Sequence, residues 1–237
     1  MERTSGGNME TEDPSPPTKI ALDGPVACGK SAVGSLVARR LGFRFLDTGM
    51  MYRAVTWLVL ERGIDPEDEE AVTKLAGEVK MEVSAALPDS EGASRVSVDG
   101  RDATDFLVRP DVEAAVSLVS RLPAVREAMV RLQREIAEHG QIVVAGRDIG
   151  TVVMPDADLK VYLDASRLER ARRRYEQARL RGQSITLKSV LDELERRDGI
   201  DSSRETSPLR AADDAVVLPT DGLNPDQVVE RILALAR

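Results

Sequence analysis

The residues best suited to chemistry form a short loop near the start of the chain, Gly24-Pro25-Val26-Ala27-Cys28-Gly29-Lys30-Ser31, which has the spacing GxxxxGK(S/T). Glycines at these positions let backbone N–H groups turn inward onto a phosphate, and the helix that follows directs its positive end at the same group. Lys30 supplies a mobile charge to the outer phosphates, and the Ser31 hydroxyl can ligand Mg²⁺. The pattern predicts that residues from Gly24 to Ala32 bind a nucleoside triphosphate, and ATP is the one we expect.

The composition excludes several other kinds of site. With one cysteine and one histidine, Cys28 and His139, the 237 residues allow no internal disulfide, no cysteine-rich zinc site and no metal site built of two or three histidines. The net charge of −8 argues against a general nucleic-acid binder, because neutralising phosphates needs a basic face. Only 6 of the 33 basic residues are Lys. Arginine forks grip phosphates bidentately, although a compositional bias of the source genome explains the excess from the totals alone.

Short apolar runs alternate along the chain with segments whose apolar residues recur at helical spacing. This order predicts an α/β fold with a five-stranded parallel sheet and flanking helices. We expect its strands around residues 20–22, 43–46, 141–145, 159–163 and 215–218. Helices are expected from Lys30 to a stop at Gly42, after an Asp47-Thr48 cap, over 112–122 and 125–136, after a Ser166 cap, and over 224–236.

A stretch over residues 63–111 interrupts this alternation with an acidic helix, two period-two segments at 81–85 and 96–98, and a turn at 88–92. We interpret it as an inserted small α/β subdomain within a core formed by residues 19–62 and 112–237. Residues 1–18, which are polar and rich in Ser and Pro, are expected to be a disordered tail. With no apolar run long enough to span a bilayer and no signal-peptide pattern, we expect a cytoplasmic protein.

Two classes of nucleotide-binding protein remain. A switch protein of the common GTPase type needs a guanine-reading Asn-Lys-x-Asp segment after a strand, and none of the predicted strand ends carries one. A small-molecule kinase needs a second, cationic site that holds an acceptor in line with the γ-phosphate. Polar residues fit that need at Asp47-Thr48, at Gly146-Arg147-Asp148 and in the cluster from Arg197 to Leu209.

The chain, from about Lys19 onward, resembles the bacterial cytidylate kinases of the nucleoside monophosphate kinase family. The motifs that carry the resemblance are Asp23-Gly24-Pro25 ahead of Gly29-Lys30-Ser31, Asp47-Thr48-Gly49 with Tyr52-Arg53, Val98-Asp99-Gly100, Gly146-Arg147-Asp148-Ile149-Gly150-Thr151-Val152-Val153, and Arg197-Asp198 with Asp201, Arg204 and Pro208-Leu209. The resemblance implies a P-loop NTPase-type core, a monophosphate-binding subdomain at residues 63–111 and a helical lid at about 167–185. It also implies transfer of the γ-phosphate of ATP to CMP or dCMP, with Mg²⁺.

The resemblance implies a role for each residue of the second site. Thr48, Arg53, Arg147 and Arg204 would hold the acceptor phosphate, Ser117, Arg126 and Asp148 would read the cytosine edge, and Arg197 and Asp201 would hold the sugar. A carboxylate at Asp148 can accept from the cytosine 4-amino group and would repel the O4 of uracil. Catalysis would rest on Lys30 and Arg147 together with lid arginines, for which we take Arg170 and Arg174. The sequence does not decide between Arg173 and Arg174.

One departure from the family pattern is Gly199-Ile200, where family members often carry a further charged residue. It leaves the phosphate clamp one cation short and bears on acceptor affinity. The other readings are a P-loop kinase for another small acceptor, such as UMP or a shikimate-like molecule, and an ATP-binding regulatory module without turnover. In the favoured reading the partners are ATP and CMP or dCMP alone, with neither nucleic acid nor membrane, and we expect a monomer.

Overall fold

The computed structural model describes residues 16–87 and 94–236 of the chain. The predicted turn at 88–92 and the first fifteen residues of the predicted tail lie outside the described residues. Thr18, the last residue of that tail, donates from its backbone N and from Oγ1 to Asp158 Oδ2, at 2.8 and 3.0 Å. These two bonds fix the chain directly before the first strand.

The described elements follow the predicted order. The strands are β1 (Lys19–Asp23), β2 (Arg44–Asp47), β3 (Met81–Ser84), β4 (Arg95–Val98), β5 (Arg101–Asp102), β6 (Ile142–Ala145), β7 (Leu159–Asp164) and β8 (Val216–Pro219). The helices are α1 (Lys30–Leu41), α2 (Thr48–Glu61), α3 (Glu69–Glu78), α4 (Pro110–Ser120), α5 (Pro123–Ala137), α6 (Arg167–Leu180), α7 (Leu187–Ser202) and α8 (Pro225–Leu235). Four described elements were not predicted: β5, α7 as a helix separate from α6, a 3-10 turn at Thr104–Val108 and a π-helical turn at Ile149–Val153.

A five-stranded parallel sheet with the order β2-β6-β1-β7-β8 forms the core of the described chain, as predicted. The central strands β1 and β6 are short and buried, because helices cover both faces of the sheet, so each reads as a continuous apolar run. The edge strand β8 is more exposed, and Leu218 is its buried residue. β1 lies at the centre, where Leu22 pairs with Ala145 on one side and with Val161 on the other. All five carboxyl ends therefore meet at one edge of the sheet.

Local sequence signals set helix ends at both edges of the sheet, with the caps of α2 and α6 beside the carboxyl ends of the strands and the end of α1 at the opposite edge. Asp47 caps α2 by accepting from Gly49 N at 2.9 Å, and Ser166 caps α6 by accepting from Glu169 N at 3.2 Å. α1 ends at Gly42 with φ 71°, the left-handed conformation that favours glycine. Three of the predicted caps and stops are thus confirmed, and they fix where functional residues leave the sheet.

The inserted segment contains α3 and a three-stranded antiparallel sheet in the order β3-β4-β5. Its apolar side packs against α2, where Trp57 is 2% exposed and stacks on Phe106 of the 3-10 turn with ring centroids 5.4 Å apart. The Arg101 guanidinium lies over both rings, 5.2 and 5.0 Å from their centroids. The insertion thereby rests on the helix that starts at the predicted acceptor site.

The Arg-rich segment after Ser166 forms two helices, α6 and α7, which turn back at Gly182. Only a small apolar cluster joins them, with Ala171, Val190 and Leu194 buried at its centre. Two ion pairs, Arg167–Glu195 and Arg170–Asp198, also join α6 to α7, so the segment of the predicted lid is held by charge as well as by apolar packing. In the described ranges no helix is both long and apolar enough to cross a membrane.

Packing of α8 against the sheet and α1 gives a test of the fold. Ile232 is fully buried in that cluster, so Ile232→Ala should lower the free energy of unfolding by about 2–5 kcal/mol. Leu235, on the same helix but 43% exposed, is the control, and Leu235→Ala should cost about 1 kcal/mol or less. Urea denaturation followed by circular dichroism measures both, and equal losses would contradict the described packing.

Candidate active site

The predicted phosphate loop joins the central strand β1 to α1. Gly24 has φ 147°, and a Cβ there would lie 2.3 Å from the carbonyl oxygen of Leu163, so only glycine fits. Lys30 is 7% exposed, and its Nζ donates to the carbonyl oxygens of Gly24 and Pro25 at 2.8 and 2.6 Å. The ammonium therefore lies inside the loop, at the height where phosphate oxygens would replace those carbonyls as acceptors.

Burial, together with the positive charge of Arg147, lowers the pKa of Lys30 to about 8. Cys28 is buried, with its sulfur 3.4 Å from Lys30 Nζ, so its small side chain fills the inside of the loop. Ser31 Oγ donates to Asp47 Oδ2 at 2.5 Å. The loop thus brings one buried cation and one hydroxyl–carboxylate pair to the sheet edge.

A cleft of ≈ 780 Å³ opens beside this loop. All nine residues that the sequence assigned to the acceptor line it, although they come from five separate parts of the chain. They are Thr48, Arg53, Ser117, Arg126, Arg147, Asp148, Arg197, Asp201 and Arg204. The phosphate loop contributes Val26, Ala27, Gly29, Lys30, Ser31 and Ala32 to the same wall, so the two predicted sites share one space.

Asp201 organises the arginines at one end of this cleft. Its carboxylate, 3% exposed, accepts from Arg147 Nε at 3.0 Å and pairs with Arg204. Burial alone would raise the pKa of Asp201, but these two cations outweigh it and hold the pKa below its ordinary value. Several buried N–H groups nearby have no partner within the described chain: Arg197 Nε, Arg204 Nε and Arg204 Nη1. Unpaired buried donors are costly, so this end of the cleft is suited to an anion.

Next to these arginines, a buried polar cluster lies between α4, α5 and the turn after β6, and Ser120 accepts from Arg126 on one side and from Arg204 on the other. Arg126 Nη2 donates to Asp148 Oδ2 at 2.7 Å, and its guanidinium lies 5.1 Å from the centroid of the Tyr52 ring. Arg126, Asp148 and Ser117 are each 3% exposed. The arrangement offers an acceptor, a hydroxyl and an aromatic face to a flat polar ring.

Asp23 at the end of β1 positions this cluster. Its two carboxylate oxygens accept from Ile149 N at 2.8 Å and from Gly150 N at 2.7 Å, which fixes the turn directly after Arg147 and Asp148. Burial raises the pKa of Asp23 to about 6. Next to it, Gly146 allows close approach of two strand ends, since a Cβ there would lie 2.7 Å from Thr48 Oγ1.

The predicted lid arginines take different positions. Arg170 lines neither cleft of the site, because it pairs bidentately with Asp198 at 3.0 and 2.6 Å and donates to Val26 O at 3.1 Å. A direct catalytic role for Arg170 stays a prediction. Arg173 donates to Cys28 O at 3.2 Å and so lies over the phosphate loop, whereas Arg174 pairs with Glu113 on α4.

A smaller cleft of ≈ 360 Å³ lies on the opposite side of the phosphate loop. Cys28, Gly29 and Ala32 form one wall, Arg172 and Arg173 a second, and the segment from Gly222 to Pro225 a third. Glu169, Arg172 and Arg173 are the charged residues of its lining, and small or apolar residues make up most of the rest. Since Cys28 and Gly29 belong to the phosphate loop, the cleft has room for a planar group attached to a phosphate chain bound there.

Sequence reasoning missed several residues of the site. Asp23 and Asp47 appeared in the motifs, and Asp47 also as a helix cap and a polar residue near the acceptor site, but neither received a role of its own. The smaller cleft was not foreseen. Glu113 was not singled out either, although its spacing of four residues from Ser117 places both on one face of α4. That spacing is the signal that could have indicated it.

Comparison with known proteins gives a consistent result. A family model described as cytidylate kinase matches residues 20–237. The cytidylate kinase of Caldanaerobacter subterraneus subsp. tengcongensis is 45% identical over 219 residues, 92% of this chain and 94% of that protein. Those of Roseiflexus castenholzii and Bacillus licheniformis are 48% and 43% identical, over 93% and 91% of this chain and 94% of each relative.

The pKa of Lys30 leads to a testable pH dependence. An ordinary lysine stays charged to about pH 10, but Lys30 loses its proton above about 8 in the free protein. Because a bound triphosphate requires that charge, the Kd of a non-hydrolysable ATP analogue should rise by up to about tenfold per pH unit above pH 8. Titration calorimetry between about pH 7.5 and 9.5 measures it, with Lys30→Arg as the always-charged control. A constant Kd for the unaltered protein would contradict the assignment.

Proposed function

Because the chain belongs to the cytidylate kinase family, we propose that it transfers the γ-phosphate of ATP to CMP or dCMP, giving ADP and CDP or dCDP. The observation that carries the proposal is the shared cleft, in which all nine expected acceptor residues lie beside the phosphate loop. Transfer between two bound phosphates requires the two groups to share such a space.

The acceptor phosphate fits the end of the cleft organised by Asp201. The unpartnered N–H groups of Arg197 and Arg204 would donate to its oxygens, and Arg53 and Arg147 line the same space. Thr48 differs in that its hydroxyl already donates to Ala145 O at 2.9 Å, so its contribution is to join the ends of β2 and β6. The sugar would then lie beside Arg197 and Asp201.

The cytosine ring fits the buried cluster of Arg126, Asp148 and Ser117. Asp148 carries the acceptor that the 4-amino group needs, and Arg126 fixes its orientation at 2.7 Å. Since both are 3% exposed, a base that cannot satisfy Asp148 would leave a buried carboxylate oxygen without a donor. This supports cytosine over uracil as the acceptor base.

Magnesium fits at Ser31 and Asp47. The 2.5 Å contact between their oxygens shows that a hydroxyl and a carboxylate converge at the mouth of the phosphate loop, and Mg²⁺ prefers such hard oxygen ligands, usually together with several waters. The described residues contain no group of three or more acidic, His or Cys side chains placed to hold a metal without substrate oxygens. Bound Mg²⁺ would screen the negative charge of the triphosphate.

The nucleoside end of ATP fits the smaller cleft on the far side of the loop, between Arg172 and the segment from Gly222 to Pro225. In this pose the triphosphate runs along the loop from the smaller cleft to the larger one. Its γ-phosphate would then lie between Lys30 and Arg147, facing the acceptor.

The chemical demand on the protein is electrostatic. An oxygen of the acceptor phosphate attacks the γ-phosphorus as the bond to the β-phosphate oxygen breaks, and ADP leaves. That nucleophile is already anionic, so no general base is required. Lys30, Arg147 and the lid arginines would stabilise the transferring group, for which a well-placed arginine is worth roughly 10³–10⁵-fold in rate.

A panel of acceptors tests the function. ADP release from MgATP should be fast with CMP and dCMP and slow with UMP, AMP, GMP, shikimate or no acceptor. Preference for UMP or shikimate would instead favour a kinase for another small acceptor. Release at the level without acceptor in every case would leave only an ATP-binding module.

The role of Asp148 is tested by Asp148→Asn, which keeps the shape but places an amino group where cytosine needs an acceptor. The ratio of kcat/KM for CMP to that for UMP should fall by about 5- to 150-fold, the scale of one good base-edge contact. Asp192→Asn is the matched control, because Asp192 pairs with Lys188 on the exposed side of α7. Steady-state rates with both acceptors measure the ratio, and unchanged discrimination would exclude Asp148 from base reading.

A further inference from the structure

Glu113 is an acid of the large cleft that none of the expected substrate contacts uses. It lies on α4, one helical turn before Ser117, and its side chain is 26% exposed. The carboxylate pairs with Arg174 of the lid helix α6 and, through the same oxygen, lies 3.7 Å from Arg197 Nη1 on α7. One side chain therefore joins α4 to both helices of the lid.

Three arginines surround Glu113: Arg174, Arg197 and Arg53. Burial alone would raise the pKa of Glu113, but Arg174, Arg197 and Arg53 together hold it below its ordinary value. Arg53 and Arg197 both belong to the proposed acceptor site. Glu113 thus places a negative charge among the arginines that would otherwise be free to contact a bound nucleotide.

Two adjacent arginines of α6, Arg173 and Arg174, point to different parts of the cleft. Arg173 lies over the phosphate loop, donating to Cys28 O at 3.2 Å and to Thr220 O at 2.5 Å. Arg174, about 100° further around the same helix, is held on the acceptor side by Glu113. Arg173 also pairs with Glu169 of its own helix, so only Arg174 of the two is held by a carboxylate on the acceptor side of the cleft.

We propose that Glu113 is a positioning residue that keeps Arg174 on the acceptor side of the cleft until the acceptor phosphate takes over the guanidinium. The proposal rests on the proposed function. A phosphate, with up to two charges and three acceptor oxygens, competes well with one carboxylate for an arginine. Before that exchange Arg174 is withheld from the γ-phosphate of ATP, and afterwards it lies where the two phosphates meet.

The consequence is suppression of wasteful hydrolysis. In that side reaction a water oxygen attacks the γ-phosphorus, the bond to the β-phosphate oxygen breaks, and ADP, inorganic phosphate and a proton are released. An arginine on the transferring group accelerates either reaction. By holding Arg174 away while no acceptor is bound, Glu113 lowers the rate of hydrolysis more than that of phosphorylation.

Glu113→Gln tests this, because glutamine keeps the size and removes the charge. ADP release from MgATP without any acceptor should rise by about fivefold or more, the usual scale of coupling between two sites. A merely structural defect would lower this rate rather than raise it. Glu193→Gln is the matched control, since Glu193 pairs with Arg196 at 2.8 Å on the exposed side of α7, outside both clefts, and its rate should not change.

A second pair of variants tests whether Glu113 acts through Arg174. In an Arg174→Gln background, Glu113→Gln should add no further hydrolysis, because the arginine that it releases is gone. Should Glu113→Gln fail to melt cooperatively, Glu113→Ala replaces it with the same expected rise. Unchanged hydrolysis in a folded Glu113 variant, or an equal rise in the Arg174→Gln background, would overturn the proposal. Failure of the unaltered protein to phosphorylate CMP would instead overturn the proposed function, and the hydrolysis rates would still be compared.

Discussion

Repulsion between arginines is the constraint that shapes this cleft. Arg147, Arg197 and Arg204 lie close enough for their charges to oppose one another, and burial together with Arg147 lowers the pKa of Arg197 to about 10. Without acids between them, these side chains would turn outward to water. Asp201, Asp148 and Glu113 prevent this, because each holds one or two guanidinium groups inside the cleft. The donors are thereby in place before any phosphate arrives, which is the preorganisation that electrostatic catalysis requires.

The same pairing explains how a chain of net charge −8 provides a site for two polyanions. The excess of acidic residues belongs to the surface, whereas the cleft collects arginines from α2, α5, α6, α7 and the end of β6. The parallel sheet makes this possible, since five strand ends and their following segments meet at one edge. Several arginines of the excess that the totals alone attribute to composition line this one cleft.

Most of the fold could be predicted because its elements are bounded by strong local signals. The apolar runs of β1 and β6 and the cap at Asp47 indicate their elements without help from distant residues. What could not be predicted depends on distant partners. Asp23 holds the turn after Asp148 across a separation of 126 residues, and no local pattern marks that contact. The break between α6 and α7 was missed because their buried apolar side chains are too few to give a clear period.

The stacked pair of Trp57 and Phe106, with Arg101 above it, gives the molecule an optical property. Trp57 is the only tryptophan in the chain, and its indole is 2% exposed with an N–H group that has no partner among the described residues. Its fluorescence therefore comes from one apolar environment, on the helix whose first turn lines the large cleft. Any movement of the inserted subdomain over α2 would change the Phe106 and Arg101 contacts, so the emission spectrum offers an intrinsic, label-free signal of that movement in the unmodified protein.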